Sequence, residues 1–129
     1  MKKIFEIFIP VKPKPKQSVR IGRYGMYQPK EIVQYIKDIS TKLQENFNSE
    51  ILDCPVGLEI IFYYPLRKKD KKPNLHTNRP DIENLVKPVM DSMKKIIFSD
   101  DSLVCYLKLL KLRAKKTGIK IKVFKLTKD

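Results

Sequence analysis

Near the start of the chain, Ile4, Phe5, Ile7, Phe8 and Ile9 form a short apolar run that Pro10 closes. Such a run predicts a strand that ends where the backbone loses an amide donor. The pattern changes after Pro29. Ile32, Ile36, Ile39, Leu43 and Phe47 recur at helical spacing, while Lys30, Glu31, Lys37, Asp38 and Lys42 stand mostly off that stripe, so an amphipathic helix with a core-facing stripe is expected. Val56 to Tyr64 is apolar, β-branched and aromatic and stops at Pro65, as a strand would. A second helix is predicted from Pro80. At about 100° per residue, Ile82, Leu85, Val86, Val89, Met90 and Met93 share one arc, and Glu83, Asn84, Lys87 and Asp91 the opposite one. Leu103 to Leu112 then reads as a buried strand, Lys115 to Gly118 as a turn, and Ile119 to Val123, alternating with Lys120 and Lys122, as a half-buried strand. The order β-α-β-α-β-β, with no internal repeat, predicts a single α+β domain over residues 1–129, with a mixed β-sheet and two packed helices.

Two stretches escape these periods, and both are basic. Residues 11–30, VKPKPKQSVRIGRYGMYQPK, alternate Pro with Lys and set Gly22 and Gly25 around Tyr24, which predicts a long ordered loop or a short hairpin. Lys12, Lys14, Lys16, Arg20 and Arg23 are placed to line a phosphate path, with Tyr24 and Tyr27 available for stacking. Residues 67–79, RKKDKKPNLHTNR, are too polar for a core and too long for a tight turn. They predict a mobile basic loop, bringing Arg67, Lys68, Lys69 and Arg79 up to the second helix, with His76 at the surface. Lys120 and Lys122 serve equally well as nucleic-acid contacts or as guards against pairing at an outer edge.

Charge turns these patterns toward a partner. Twenty-eight Lys and Arg against fourteen acids give a net charge of +14, which predicts a polyanionic partner, nucleic acid first. The 42% hydrophobic content is that of a globular chain and excludes disorder as the general state. Glu6 interrupts the first apolar run and no later run approaches the length of a membrane span, so a cytoplasmic protein without membrane partners is expected. Cys54 and Cys105 lack CxxC spacing and read as reduced thiols.

Against that basic background, Arg79 to Asp101 holds Asp81, Glu83, Asp91, Asp100 and Asp101, five of the fourteen acids. Two carboxylates about 5 Å apart repel by roughly 3 kcal/mol at an effective dielectric near 20, and a divalent ion between them reverses that sign. Hydrolysis of a phosphodiester needs an activated water and relief of charge on the phosphoryl and leaving oxygens, and a magnesium ion supplies both. Magnesium takes oxygen ligands and few carboxylates, a need that Asp81, Glu83 and one of Asp100 or Asp101 fit, with Lys87 one turn after Glu83 to neutralise phosphate or orient the water. The bland reading is that Asp81 and Glu83 complement the helix dipole, Glu83 pairs with Lys87, and Asp100 starts a turn.

The run RPDIENLVKPVMDSM followed by FSDDSLV resembles the RusA family of Holliday junction resolvases, and FIPVKPKPKQSVR and MYQPK extend the likeness over most of the chain. The resemblance implies a magnesium-dependent, homodimeric endonuclease, with Mn2+ as an alternative ion, that places paired symmetric nicks in a four-way DNA junction during recombination and repair. On the family motif, Asp81 and Glu83 fall on the first two acids, Asn84 on the adjoining Asn, Lys87 on the catalytic Lys and Asp101 on the later metal-binding acid, with Asp100 beside it. Asp91 is expected in a supporting role. Glu83 stands where the family has Asp, and Pro88 interrupts the helix, where a large bend would part Asp91 from Lys87. Tyr24, Tyr63 and Phe98 are the aromatic candidates for entering the branch point. The rivals are a non-catalytic basic nucleic-acid-binding module and a nuclease of the same metal logic acting on flaps or forks.

Overall fold

The computed structural model describes residues 1–18 and 20–126, with the side chain of Arg20 outside that description. In chain order the strands are β1 (Lys2–Ile9), β2 (Arg20–Gly22), β3 (Gly25–Tyr27), β4 (Val56–Pro65), β5 (Asn74–Leu75), β6 (Val104–Ala114) and β7 (Gly118–Lys125). The helices are α1 (Lys30–Asn46) and α2 (Ile82–Met93). Among the described residues five strands form one sheet in the order β1-β7-β4-β6-β5, and β2 and β3 pair with each other in a second, two-stranded sheet. The fold is α+β with a mixed sheet, as the patterning predicts. β4 is the pivot, antiparallel to β7 and parallel to β6. A parallel pair needs a long crossover, and the segment that carries α2 is that crossover.

One face of the sheet receives both helices. Val56, Leu58, Ile60 and Phe62 of β4 and Ile119, Ile121 and Val123 of β7 meet Ile32, Ile39 and Leu43 of α1 and Leu85, Val89 and Met93 of α2 in one core. Period-2 alternation sends Glu59, Ile61, Lys108, Lys120 and Lys122 toward the opposite side, where they line a small cleft. β7 lies inside the sheet, between β1 and β4, so Lys120 and Lys122 do not guard an outer edge. Lys120 instead pairs with Glu6 of β1 at 3.6 Å.

Other expectations are corrected by partners that lie far away in sequence. β6 is not a buried strand: Cys105, Tyr106, Leu107 and Lys108 are exposed. Its outer edge pairs with the two-residue β5, opposite Leu112 and Arg113. His76 is buried rather than at the surface, with 6% of its area exposed. Its ring packs edge-on against Tyr64 at 4.6 Å, and its amide donates to the Lys111 carbonyl. Burial, and then the charges of Arg113, Lys111 and Arg67, push its pKa down. The loop around it is tied as well, since Arg67 makes an ion pair with Asp70 at 3.0 Å. The hairpin reading of residues 20–27 holds, with Arg23 and Tyr24 forming the turn.

Candidate active site

α2 starts two residues later than the sequence suggests, so Asp81 is its N-cap rather than part of its first turn. The Asp81 carboxylate makes no capping hydrogen bond. Lys111 fixes the approach to it by donating from Nζ to the carbonyls of Asn78 (2.6 Å) and Pro80 (2.7 Å). The packing arc is as predicted, with Leu85, Val86, Val89 and Met93 buried and Ile82 and Met90 half-buried. On the other arc Glu83, Lys87 and Asp91 are exposed. No ion pair joins Glu83 to Lys87 among the described residues.

Pro88 does not disrupt this arc. Helix continues through it to Met93, and Lys87 and Asp91 line the same cavity, about 370 Å³, with Met90, Asp101 and Lys16. What Pro88 changes is hydrogen bonding. It offers no amide to the carbonyl of Asn84, four residues back. The amide of Lys16 donates to that carbonyl instead, at 2.6 Å, and fastens the N-terminal basic loop across α2.

The second acidic segment is brought in by the core. Phe98 is fully buried, which contributes roughly 1.5–3 kcal/mol. The backbone on either side of it is held to Leu52: the Leu52 amide donates to Ile97 at 2.8 Å, and the Ser99 amide to Leu52 at 3.1 Å. A short 3-10 turn over Asp101–Leu103 follows. Here the two adjacent acids separate. Asp100 caps the turn, accepting from the Ser102 amide at 3.0 Å, and pairs with Lys94 at 3.4 Å. Ser102, and then Lys94, hold its carboxyl down at about 2. Asp101 turns to the cavity, and its Oδ1 is buried without a hydrogen-bond partner among the described residues.

Asp91, expected in support, forms part of the cavity wall. Its carboxyl is held above the ordinary value, first by loss of water and then by the charge on Asp101, while Lys16, Lys94 and Lys87 pull the other way. Asp81, Glu83 and Asp101 do not converge: among the described residues no three acidic, histidine or cysteine side chains gather closely enough to hold a metal ion. Glu83 and Asp91, eight residues apart, are separated by about 12 Å of helix rise, and Asp101 lines the cavity at the Asp91 end. A hard divalent ion still fits the cavity. It offers two carboxylates, one with an oxygen no protein donor satisfies, and such ions commonly take one or two carboxylates beside substrate phosphate and water.

The other sequence-predicted contacts do not line this cavity among the described residues. Lys12, Lys14 and Arg79 line a neighbouring cleft with Tyr64 and Pro80. Lys68 and Lys69 are exposed in the 67–79 loop, and Arg67 is engaged by Asp70. Arg23 lies 5.8 Å from the ring of Tyr24, whereas the side chain of Arg20 lies outside the description. Of the aromatic candidates, Phe98 is 0% exposed and Tyr63 9%, whereas Tyr24 is 95% exposed at the hairpin turn. Sequence reading assigned Lys16 only to general phosphate contact. The available signal was Pro88, which marks the Asn84 carbonyl as free without naming its donor.

The chain is similar to the Bacillus subtilis (strain 168) protein YqaN, an uncharacterized protein, at 26% identity over 121 residues, covering 85% of each chain. It is similar to a crossover junction endodeoxyribonuclease, rusA, of Lactococcus phage r1t, at 28% identity over 130 residues, covering 95% of this chain and 98% of the phage protein. The model of the endodeoxyribonuclease RusA family matches residues 9–124, which include both helices, the loop bearing Lys16 and the Asp100–Asp101 turn. The chain therefore belongs to the RusA family of endodeoxyribonucleases.

Proposed function

We propose that this protein is a magnesium-dependent endonuclease that resolves four-way DNA junctions by paired symmetric nicks, in recombination and repair. The observation that carries the reading is the cavity in which Asp91 and Asp101 face Lys87, and it is supported by the family and by the phage relative's printed activity. Asp91 and Asp101 are the acids we assign to a metal held in this cavity, with Mn2+ as a substitute ion, and Asp81 and Glu83, which stand apart from it at the start of α2, are assigned to metal bound there together with the DNA backbone. Asp100, already committed to Ser102 and Lys94, keeps the turn in place. A bound divalent ion supplies an activated water and relief of charge on the phosphoryl oxygens.

Lys87 donates to a non-bridging oxygen of the scissile phosphate. The attacking water gives up a proton to solvent as its oxygen bonds to phosphorus, the bond from phosphorus to the leaving sugar oxygen breaks, and that oxygen takes up a proton from solvent water. Lys12, Lys14 and Arg79 hold the flanking backbone, each contributing to a salt-sensitive affinity. The described residues form one such cavity and a resolved junction needs two cuts, so a two-fold homodimer on the symmetric substrate follows. Action on chromosomal or phage DNA puts the protein in the cytoplasm.

The test is incubation with a synthetic four-way junction, flaps and forks, with and without Mg2+. Paired nicks in the junction that require the metal are the expected result. Binding without nicking at any metal concentration would reduce the protein to a basic DNA-binding module, and preferential cutting of flaps or forks would replace the substrate.

A further inference from the structure

The amide lost at Pro88 has a consequence for chemistry one segment away. In an uninterrupted helix the carbonyl of Asn84 would accept from residue 88, closing its turn. Here it accepts from Lys16, a residue of the N-terminal loop 68 positions earlier in the chain, at 2.6 Å. The lysines at positions 12, 14 and 16 form one track of alternate residues. Only Lys16, whose backbone is fastened this way, lines the cavity with Lys87, Asp91 and Asp101, whereas Lys12 and Lys14 line the adjoining cleft. Neither Lys16 nor Lys87 is consumed by an ion pair among the described residues. Two lysines without ion pairs among the described residues thus line one cavity with two carboxylates, an arrangement suited to an anion that binds together with a divalent cation.

We propose that Lys16 is a second active-site lysine, whose ammonium donates to a non-bridging oxygen of the phosphate being cut, and that Pro88 is the positioning residue that holds it there. The inference rests on the endonuclease reading and deepens it. Lys16 gives up no proton and forms no covalent bond; it offsets charge as water attacks phosphorus. Its positive charge beside Asp91 and Asp101 also weakens divalent-ion binding until a phosphate arrives, which links ion and DNA occupancy.

Four measurements on the full-length protein test the assignment. Lys16→Ala lowers single-turnover cleavage of a saturating four-way junction about tenfold or more, while affinity for the uncut junction in Ca2+ falls no more than about threefold. Lys37→Ala, on the exposed face of α1, is the control and changes neither rate nor affinity. In calorimetry without DNA, Lys16→Ala binds Mn2+ several-fold more tightly, on the order of one removed like charge at close range. The Lys16 amide is protected from hydrogen exchange in the wild type and exchanges about tenfold faster in Pro88→Ala, where residue 88 regains an amide for the same carbonyl.

The double variant Lys16→Ala with Pro88→Ala cuts no more slowly than Lys16→Ala alone, because Pro88 acts through Lys16. A Lys16→Ala protein that cuts at the wild-type rate overturns the assignment, and an additive double variant overturns the role of Pro88. If the wild type cuts no branched DNA, the endonuclease reading falls separately. An unchanged Mn2+ affinity in Lys16→Ala or an unprotected wild-type Lys16 amide then overturns this inference without reference to cleavage.

Discussion

The two ends of α2 carry acids in opposite circumstances. At the start, Asp81 and Glu83 stand in solvent with no side-chain hydrogen bond or ion pair among the described residues, beside a loop pinned by Lys111. Toward the end, Asp91 shares a cavity with Asp101 and two lysines, at the cost of a carboxyl pushed above its ordinary value. Helical spacing puts Glu83, Lys87 and Asp91 on one arc, but an arc is not a site. The cavity exists where two other segments return to the helix, one fastened to the Asn84 carbonyl and the other anchored by buried Phe98.

The comparison breaks most sharply through the acids themselves. Asp81→Asn, Glu83→Gln, Asp91→Asn and Asp101→Asn are each expected to lower junction cleavage about a hundredfold or more while keeping or raising DNA affinity. Single-turnover rates and gel-shift affinities measure both. If Asp81→Asn cuts normally while Asp91→Asn is dead, the working site is the cavity end of α2 alone.

Lys87 lies between the two ends. Lys87→Ala should cost about a hundredfold in cleavage rate at saturating DNA, with junction binding largely retained. A collapse of binding instead would make Lys87 an anchor for the backbone rather than a group acting at the reaction.

The smallest effects concern stability, and here neighbouring carboxyls differ in sign. Asp91 has a raised pKa, so the folded state binds its proton more tightly than the unfolded chain, and the charged form works against folding at neutral pH. Metal-free Asp91→Asn should therefore melt at a higher temperature than wild type at pH 7, the gain fading as pH falls below the raised value. Asp100, held down at about 2, contributes stability that is present above the unfolded value of about 3.9 and is lost as pH falls toward 2. Asp100→Asn should accordingly lower the melting temperature at pH 7 and match wild type near pH 2. Parallel melting curves for the two variants would show the same sign if the cavity did not distinguish the two acids.

Legibility followed the range of the interactions. The stripe on α1, the two arcs of α2 and the alternation of β7 are local patterns, and each was readable because a helix or strand repeats its own geometry. The exposed front half of β6 was misjudged because an apolar run records composition rather than the number of neighbouring strands. His76 was misjudged for a similar reason, since the ring that covers it belongs to β4, twelve residues back. Between Asp100 and Asp101 residue spacing offered no preference, and only the family motif favoured Asp101. The short turn divides them, giving one to Ser102 and Lys94 and the other to the cavity.

By itself the sequence determined the α+β order, the basic character, the acid-bearing arc of α2 and the motif that the RusA family shares, all properties of residue type and near spacing. Only the tertiary structure decided that Asp91 joins Asp101, that Asp81 and Glu83 stand apart from them, and that Lys16 enters the same cavity. The physical reason is that a backbone group freed by Pro88 and an apolar anchor at Phe98 find their partners across the fold, at separations no local pattern encodes.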